Sequence, residues 1–260
     1  MPEHVYRLEG STAFATDHAA GPWNPQLQHG GAPSSLIAWV AERMPTREPM
    51  QIARLTVDLL RPVPIGPLTI SSEVVREGRK IQLCSVRLLT GDTEVVRGTV
   101  LKIRSDAIAW PPDTRATEAL DVPGPEQGKP LQRSPDIANA FVTGLSLRFV
   151  RGSFETPGPS SVWFRAHRPI VAGEPISPAM RATLTADFCN GVSAVLDFKR
   201  WTFINGDLTV SLARLPVGEW ILLDAQTWLG DQGAGISFAR LGDEHGYFGR
   251  AVQSLVVEPR

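Results

Sequence analysis

The apolar and polar residues along the chain repeat with two different spacings, one typical of helices and one typical of strands. Over residues 32–44, apolar residues recur every three or four positions, which predicts an amphipathic helix that Pro45 ends. A second helix is predicted over residues 178–196, with Ser177 as its N-cap. Most other apolar segments are short, alternate loosely with polar residues and end near glycine or proline, as antiparallel strands do. These predicted strands cover residues 5–14, 53–60, 68–75, 80–89, 94–103, 145–154, 161–168, 208–213, 220–228, 234–241 and 247–257.

The order of one helix followed by several strands occurs twice, and a short stretch of sequence occurs twice with it. Residues 55–61 (LTVDLLR) match residues 208–214 (LTVSLAR) at a constant offset of 153 (208 − 55). Further along, Val100 matches Val252 at an offset of 152 (252 − 100). A repeat of this length is far longer than a solenoid unit, so it indicates the duplication of one helix-and-sheet domain.

Residues 105–136 separate the two copies. This segment contains six prolines and scattered charges, and neither a helical nor a strand period persists through it. We therefore expect an N-terminal unit over residues 1–104, a proline-rich linker over residues 105–136 and a C-terminal unit over residues 137–260.

The near-neutral charge of the chain excludes several classes of partner. Among its 260 residues, 26 are Lys or Arg and 27 are Asp or Glu, which gives a net charge of −1. A dedicated binder of nucleic acid or of anionic membranes needs a basic excess, so neither partner is expected. No apolar run approaches the ~20 residues of a membrane span, and the first residues lack the basic and apolar regions of a signal peptide. A cytoplasmic location is therefore expected.

The sequence predicts no disulfide framework and no metal site. The two cysteines, Cys84 and Cys189, lie among apolar neighbours and are too few for a disulfide framework or a cysteine-based zinc site. No pair of histidines has the spacing of metal ligands, and no phosphate-binding glycine-rich loop occurs. We therefore expect neither a metal nor a cofactor.

Several segments of the second copy resemble the type II acyl-CoA thioesterase family. They are Asp187 in the predicted second helix and the stretches 205–214 (NGDLTVSLAR), 216–220 (PVGEW) and 249–253 (GRAVQ). The resemblance spans nearly the whole chain and implies an α+β fold of two hotdog units in tandem, each a helix packed against an antiparallel sheet. It also implies acyl-CoA as the substrate, hydrolysis to a carboxylic acid and CoA as the reaction, and assembly into a homodimer or a higher homo-oligomer.

The same resemblance assigns catalysis to an aspartate, a Thr, Ser or Asn, and a glutamine of the second unit. Asp187, Asn205 and Gln253 hold these positions, with Asn205 in place of the Thr of some members. The chemistry agrees with these residue types. A thioester carbonyl is already electrophilic, so hydrolysis needs an oriented water and a base rather than a covalent nucleophile. Asp187 is predicted to take a proton from the water, while Asn205 and Gln253 hold that water by hydrogen bonds.

The loop that precedes the first helix is predicted to bind the acyl group. Gly30 and Gly31 permit close approach of the backbone, and N–H groups at a helix N-terminus can polarise a carbonyl. His29, directly before them, is expected to contact the ligand. At the repeat offsets, the first-unit counterparts of the three catalytic residues are Ser35, Ile52 and Leu101. None of these can replace its counterpart, so one site per chain is expected and the site of the first unit is degenerate.

Two alternative functions remain open. One is a hotdog protein that binds acyl ligands without turning them over. The other is an enoyl-CoA hydratase or dehydratase on the same fold, which would need a catalytic histidine near the aspartate. None of the histidines closely follows Asp187; they are His4, His18, His29, His167 and His245. A serine hydrolase of the α/β type is disfavoured because no Gly-x-Ser-x-Gly motif occurs.

Overall fold

The computed structural model describes residues 3–22, 24–114, 118–131 and 141–260. Within them, three helices pack against an antiparallel sheet of 14 strands, in agreement with the predicted α+β class. The helices are α1 (Gly31–Arg43), α2 (Pro178–Ala186) and α3 (Cys189–Val192). The strands are β1 (Tyr6–Glu9), β2 (Thr12–Ala15), β3 (Met50–Leu59), β4 (Pro67–Glu77), β5 (Ile81–Thr90), β6 (Thr93–Arg104), β7 (Lys129–Pro130), β8 (Leu145–Ser153), β9 (Thr156–Ala166), β10 (Trp201–Asn205), β11 (Asp207–Leu212), β12 (Trp220–Leu229), β13 (Ala234–Asp243) and β14 (Gly246–Pro259).

The strand order places the first part of the chain in one half of the sheet and the second part in the other. It runs β1-β2-β4-β5-β6-β3-β11-β14-β13-β12-β9-β8-β7, and β10 also pairs with β14. The β3–β11 pair joins the two halves. Elements that are distant in the chain therefore meet near the middle of the sheet, which is where the candidate site lies.

The β3–β11 pair is symmetric about two threonines that the sequence repeat also equates. Thr56 pairs with Thr209, and their Oγ1 atoms lie 3.2 Å apart. The next pair along is Leu55 with Val210. The two copies of the repeated stretch thus lie side by side in opposite directions, centred on equivalent residues.

The strand pairing keeps the offset of 153 in β6 and β14, where the sequence comparison indicated 152. The two repeated threonines pair with Thr99 of β6 and with Val252 of β14, respectively, a difference of 153 (252 − 99). The match of Val100 with Val252 is therefore wrong by one residue. The counterpart of Gln253 is Val100 (253 − 153), which is buried, and not Leu101.

The predicted second helix is interrupted. α2 begins as expected, because Ser177 Oγ accepts a hydrogen bond from the Met180 N–H at 3.1 Å. It ends one residue before Asp187, its C-terminal cap, rather than continuing to residue 196. At this point the carbonyl oxygen of Asp187 accepts a hydrogen bond from Gln253 Nε2 at 3.2 Å. A side chain from β14 thus takes the place of a helical N–H, and the chain restarts as the short helix α3.

Two strands also differ from the sequence prediction. The strand expected over residues 5–14 is a hairpin of β1 and β2, because Gly10 has a φ of +58° and turns the chain. The sequence analysis did not predict β10, which pairs with β14 and brings Asn205 opposite Leu255.

Only part of the predicted linker belongs to the described residues, since 115–117 and 132–136 lie outside them. The described part contains β7 and a 3-10 turn at Pro125–Gln127. It is attached to the sheet, because Trp163 Nε1 donates a hydrogen bond to Pro123 O at 2.9 Å. A proline-rich composition here does not prevent the segment from packing on the second half of the sheet.

α1 lies in the centre of the core. Leu36 and Ile37 have no exposed surface, and the helix packs against β3, β5, β6 and α2. Each fully buried large apolar side chain stabilises the fold by about 1.5–3 kcal/mol. Gly98 on β6 makes room for this packing, because a Cβ there would lie 2.5 Å from Ile37. Among the described residues, no helix is long and apolar enough to cross a membrane.

Candidate active site

Asp187 is the centre of a buried polar cluster between α2 and α3. It is only 4% exposed although it is an acid. Its Oδ1 accepts hydrogen bonds from Asn205 Nδ2 at 3.1 Å and from Gln253 Nε2 at 3.3 Å. Its Oδ2 lies 2.9 Å from His29 Nδ1. A buried carboxylate is costly unless polar groups surround it, and these three side chains supply them. The structure thus brings the three predicted catalytic residues together and adds His29.

Gln253 is held in one orientation against Asp187. It lies on β14 with no exposed surface, and its Oε1 accepts the Asn190 N–H at 3.2 Å. Its Nε2 donates to the backbone oxygen of Asp187 and to Oδ1. Because a backbone N–H only donates, the amide oxygen must face Asn190 and the amide nitrogen must face the carboxylate. Gln253 is absent from the residues that line the neighbouring cavity, so it contacts the acid rather than the cavity.

Asn205 ends β10 and approaches the same carboxylate from the side of the cavity. Its Nδ2 donates to Asp187 Oδ1 and, at 3.4 Å, to the carbonyl oxygen of Asp207. Neither bond uses the side-chain oxygen of Asn205. Asn205 lines the cavity, and a side-chain amide oxygen can accept hydrogen bonds there.

His29 packs against two aromatic rings and faces the acid with one nitrogen. Its ring centroid is 5.1 Å from that of Phe141 and 4.4 Å from that of Phe188. The same Nδ1 lies 2.9 Å from Asp187 Oδ2 and 3.1 Å from the Gly31 N–H. One nitrogen cannot accept the N–H and donate to the carboxylate at once. A lone pair at 2.9 Å from a carboxylate would be repelled, so we assign the proton to Nδ1.

Gly30 brings the N-terminus of α1 directly against the carboxylate. A Cβ at Gly30 would lie 2.8 Å from Asp187 Oδ1, so the position has no room for a side chain. Its φ of −56° is ordinary, so space rather than conformation requires glycine here. Within the described residues, the Gly30 N–H donates no hydrogen bond. The positive end of the helix dipole therefore lies beside the acid, with one N–H available.

Gly31 is also tightly enclosed, but on the buried side of the helix. A Cβ there would lie 3.1 Å from the Phe141 ring and 3.3 Å from the carbonyl oxygen of Leu184. Gly31 is absent from the lining of the cavity. Gly30 therefore faces the ligand space, whereas Gly31 allows α1 to approach α2.

A cavity of about 480 Å³ opens onto the carboxylate. This volume lies within the range of small-molecule sites. His29, which the sequence analysis expected to contact the ligand, lines this cavity beside Asp187. The other polar residues of the lining are Asn24, Gln28, Arg61, Asn190 and Asn205. The remaining lining is mainly apolar and includes Leu27, Leu59, Leu60, Val63, Ile204 and Val256. Both halves of the chain therefore contribute to one site, with the acid from one half and the helix N-terminus from the other.

Asn190 is a member of the site that the sequence analysis missed. It is 9% exposed, lines the cavity, and orients Gln253 through its backbone N–H. Its own Nδ2 donates to Phe203 O at 3.3 Å, which attaches α3 to β10. The available signal was a carboxamide within the apolar stretch that follows Asp187. Because the sequence analysis predicted one continuous helix over that stretch, it did not predict that Asn190 faces the site.

The C-terminal end of α1 also meets the N-terminal end of α2, through a glutamate and a serine. Ser177 Oγ donates to Glu42 Oε2 at 2.7 Å, which joins the last turn of α1 to the N-cap of α2. Burial raises the pKa of the Glu42 carboxyl.

The sequence offset indicated Ser35 as the counterpart of Asp187. In the structure, Glu42 lies against the N-cap of α2 as Asp187 lies against the N-cap of α1. Ile52 lines the small adjoining cavity where the second half has an amide. An acid is thus present there, but its hydrogen-bond donor is the hydroxyl of Ser177, and Gln51 and Lys102 also line this cavity.

Among the described residues, no group of three or more His, Cys, Asp or Glu side chains is arranged to hold a metal ion.

The two parts of the chain match two consecutive domains of one protein family. Residues 19–103 match the acyl-CoA thioesterase N-terminal domain, and residues 116–257 match the acyl-CoA thioesterase C-terminal domain. The chain belongs to the acyl-CoA thioesterase family. The resemblance inferred from the C-terminal segments is thereby confirmed, and the thioesterase is a thioester hydrolase.

Solved structures show that the thioesterase has a hotdog fold. A candidate thioesterase II from Thermobifida fusca has a TM-score of 0.77 at 15% identity, covering 98% of this chain and 96% of the other. A hotdog protein from Alicyclobacillus acidocaldarius has a TM-score of 0.75 at 15% identity, covering 97% and 95%. The acyl-CoA thioesterase II TesB2 of Mycobacterium marinum has a TM-score of 0.67 at 13% identity, covering 98% and 94%. No curated protein sequence matches the thioesterase.

Proposed function

We propose that this thioesterase hydrolyses acyl-CoA with Asp187 as general base, without a covalent intermediate. The observation that carries this proposal is the position of the Asp187 carboxylate. It lies at one end of a cavity, against the N-terminus of α1, and Asn205, Gln253 and His29 hold it in place. No nucleophilic side chain is needed, because a thioester carbonyl reacts with an oriented water once a base takes the proton.

In the proposed reaction, a water donates a hydrogen bond to Asn205 Oδ1. This water attacks the thioester carbon and gives a proton to Asp187. The electron pair of the carbonyl bond moves to its oxygen, which accepts a hydrogen bond from the Gly30 N–H. The carbonyl bond then reforms as the carbon–sulfur bond breaks. The leaving CoA sulfur takes the proton from Asp187, which releases a carboxylic acid and CoA and restores the carboxylate.

Gln253 acts in this scheme as a positioning residue. The sequence analysis predicted that it holds the water, but its amide nitrogen donates to Asp187 and its amide oxygen accepts from Asn190. It therefore aims the carboxylate at the cavity. His29 supports the same acid from the opposite side through Nδ1.

We further propose that the fold is a tandem of two hotdog units, over residues 1–104 and 137–260, joined by a linker over residues 105–136. The pairing of Thr56 with Thr209 supports this proposal, since it places equivalent residues at the centre of the β3–β11 pair. Separate matches to an N-terminal and a C-terminal domain also support it. The second unit supplies Asp187 and the first supplies Gly30, so that one complete site forms per chain.

We also propose that the chain assembles into a homodimer or a higher homo-oligomer, as the family resemblance implies. A cytoplasmic location, expected from the sequence, is proposed as well. Exposed apolar residues on the sheet, among them Trp228 and Ile236, support self-association. Light scattering on the purified chain would measure the assembled mass, and a monomer at all concentrations would contradict this part.

The decisive experiment measures release of the CoA thiol from a series of acyl-CoA esters by wild type and by Asp187→Asn. Loss of the base is expected to lower kcat by about 10²–10⁴-fold with little change in KM. Asp197→Asn, at an exposed loop acid, is the control and should retain activity. Binding of acyl-CoA without thiol release would favour a non-catalytic binder, and hydration of an enoyl-CoA without thiol release would favour a hydratase.

A further inference from the structure

A row of polar residues continues from Gln253 across the sheet. Gln253 of β14 pairs with Ser237 of β13, and Ser237 pairs with Thr227 of β12. All three side chains are buried on the face that α3 covers. The row leads away from Asp187 into the space between helix and sheet.

Ser193, directly after α3, closes this row from the helix side. Its Oγ lies 2.7 Å from Thr227 Oγ1 and 3.3 Å from Ser237 Oγ, and those two oxygens are 3.2 Å apart. Ser193 Oγ also donates to Cys189 O at 2.7 Å. We refer to Ser193, Thr227 and Ser237 as the hydroxyl cluster. Each of its hydroxyl groups is satisfied by protein atoms.

The first half of the chain has apolar residues at the same positions. Subtracting 153 from the three row positions, 253, 237 and 227, gives Val100, Cys84 and Val74. These residues pair with one another in the same order on β6, β5 and β4. Val100 and Cys84 are buried, whereas Val74 is 40% exposed. The buried polar row is therefore particular to the half that carries Asp187.

The hydroxyl cluster lies close to the cavity in the chain, since Ser193 follows Asn190 by three residues. The cavity reaches Asn190 beside Asp187, and none of the cluster residues lines it. The nucleotide of CoA is large and charged, so it takes the open side near Arg61. In the proposed complex, the acyl group extends past Asn190 towards the hydroxyl cluster. A chain of methylenes there would separate hydroxyl groups that now bond one another and leave them buried without partners.

We infer that the substrates are thioesters of short acyl chains and that the hydroxyl cluster sets the upper limit of chain length. This inference rests on the proposed acyl-CoA hydrolysis and deepens it. Chains that end near Asn190 fit without disturbing the cluster, whereas longer chains must displace it.

The first test is the chain-length profile of the wild-type protein on acetyl-, butyryl-, hexanoyl-, dodecanoyl- and palmitoyl-CoA, with thiol release as the readout. We expect kcat/KM to fall by at least about tenfold between hexanoyl- and dodecanoyl-CoA, since a single misfitting methylene can change it by that factor. Equal efficiency on dodecanoyl- and butyryl-CoA would overturn the inference and leave the proposed function standing. Absence of thiol release with every ester would instead remove the proposed function.

The second test opens the cluster. Thr227→Ala combined with Ser237→Ala removes two hydroxyl groups and leaves an apolar space, so the ratio of dodecanoyl- to butyryl-CoA efficiency should rise by about tenfold or more. Thr69→Ala is the control, because it removes a hydroxyl from an exposed position of β4 that does not line the cavity, and its profile should stay that of wild type. A folded double variant with the wild-type profile would overturn the role of the cluster. If the double variant does not fold, the wild-type profile alone decides.

Discussion

Gly30 and Asp187 are in direct contact across the two halves of the chain. A Cβ built on Gly30 would lie 2.8 Å from Asp187 Oδ1 and 2.9 Å from Oδ2. Real Cβ atoms do not approach other atoms so closely, so any larger residue must displace the carboxylate. The contact explains why a glycine with an ordinary φ stands at the start of α1.

Gly30→Ala should therefore abolish most of the activity without unfolding the protein. The added methyl group moves the carboxylate by a fraction of an ångström to an ångström, and displacement on that scale costs about 10²-fold in rate. The measurement is kcat/KM for thiol release together with Tm. Gly191→Ala on α3 is the control, because a Cβ there meets nothing within 4 Å. Full activity in Gly30→Ala would show that the contact is not part of the catalytic arrangement.

Arg61 is expected to bind the charged end of the substrate. It lines the cavity, is exposed, and has one Nη1 hydrogen bond, to Glu94 O at 2.9 Å. Arg61→Ala should raise KM for acyl-CoA by about tenfold with kcat little changed, because a charge-assisted contact to phosphate contributes to binding in ground and transition state alike.

The matched experiment for Arg61 uses an acyl-N-acetylcysteamine thioester, which lacks the phosphates. The variant and wild type should hydrolyse this substrate equally well. Arg87→Ala, on an exposed strand position away from the cavity, should have no effect on either substrate. An equal loss on both substrates would mean that Arg61 shapes the cavity instead of binding phosphate.

The meeting of Glu42 and Ser177 is expected to stabilise the fold without contributing to catalysis. Ser177 caps α2 and donates to Glu42. Ser177→Ala should lower the free energy of unfolding by about 0.5–2 kcal/mol. Glu42→Gln keeps the size of the side chain and its ability to accept a hydrogen bond, so kcat/KM should stay near the wild-type value. A loss of turnover in folded Glu42→Gln would reveal a second active site.

Asp243 anchors residues 216–220 (PVGEW), one of the stretches that resemble the thioesterase family, through a buried carboxylate. Its burial alone would raise the pKa, but hydrogen bonds from Arg214 and from the N–H groups of Val217 and His245 outweigh burial and hold the pKa below its ordinary value. A depressed pKa stabilises the folded state above the pKa of the unfolded chain, and this contribution is lost as the pH falls through the folded pKa.

Asp243→Asn should therefore destabilise the protein by about 3 kcal/mol at neutral pH, because the partly buried guanidinium loses its counter-ion. The difference in Tm between wild type and variant should shrink as the pH falls below about 4. Glu244→Gln, an exposed neighbour, should change Tm little at any pH. A difference in Tm that does not depend on pH would show that charge is not the source of the stabilisation.

The spacing of residues predicts much of this fold because the relevant signals are local. The amphipathic period identifies α1 within a residue at each end, and the glycine-bearing breaks after Glu77 and Thr90 separate β4, β5 and β6 close to where they occur. The same reasoning misses the end of α2, because the competing hydrogen bond comes from Gln253 on a strand far along the chain. β10 is missed for a similar reason, since its only regular partner among the described strands is β14.

The candidate site shows the same division. Asp187, Asn205 and Gln253 follow from a resemblance in sequence, and the structure brings them within hydrogen-bonding distance. Asn190 does not follow from any motif. Its part in the site depends on the break after Asp187, which only the packed structure contains.

By itself, the sequence determines which segments form helices and strands, that one plan is repeated at an offset of 153 (208 − 55), and which residue types are available for chemistry. These properties depend on spacing along the chain. The tertiary structure decides that Gly30 lies against Asp187, that Gln253 donates a hydrogen bond to the acid, and that the three residues of the hydroxyl cluster meet beside α3. Each of these depends on which distant residues share one buried volume, and spacing along the chain does not specify that.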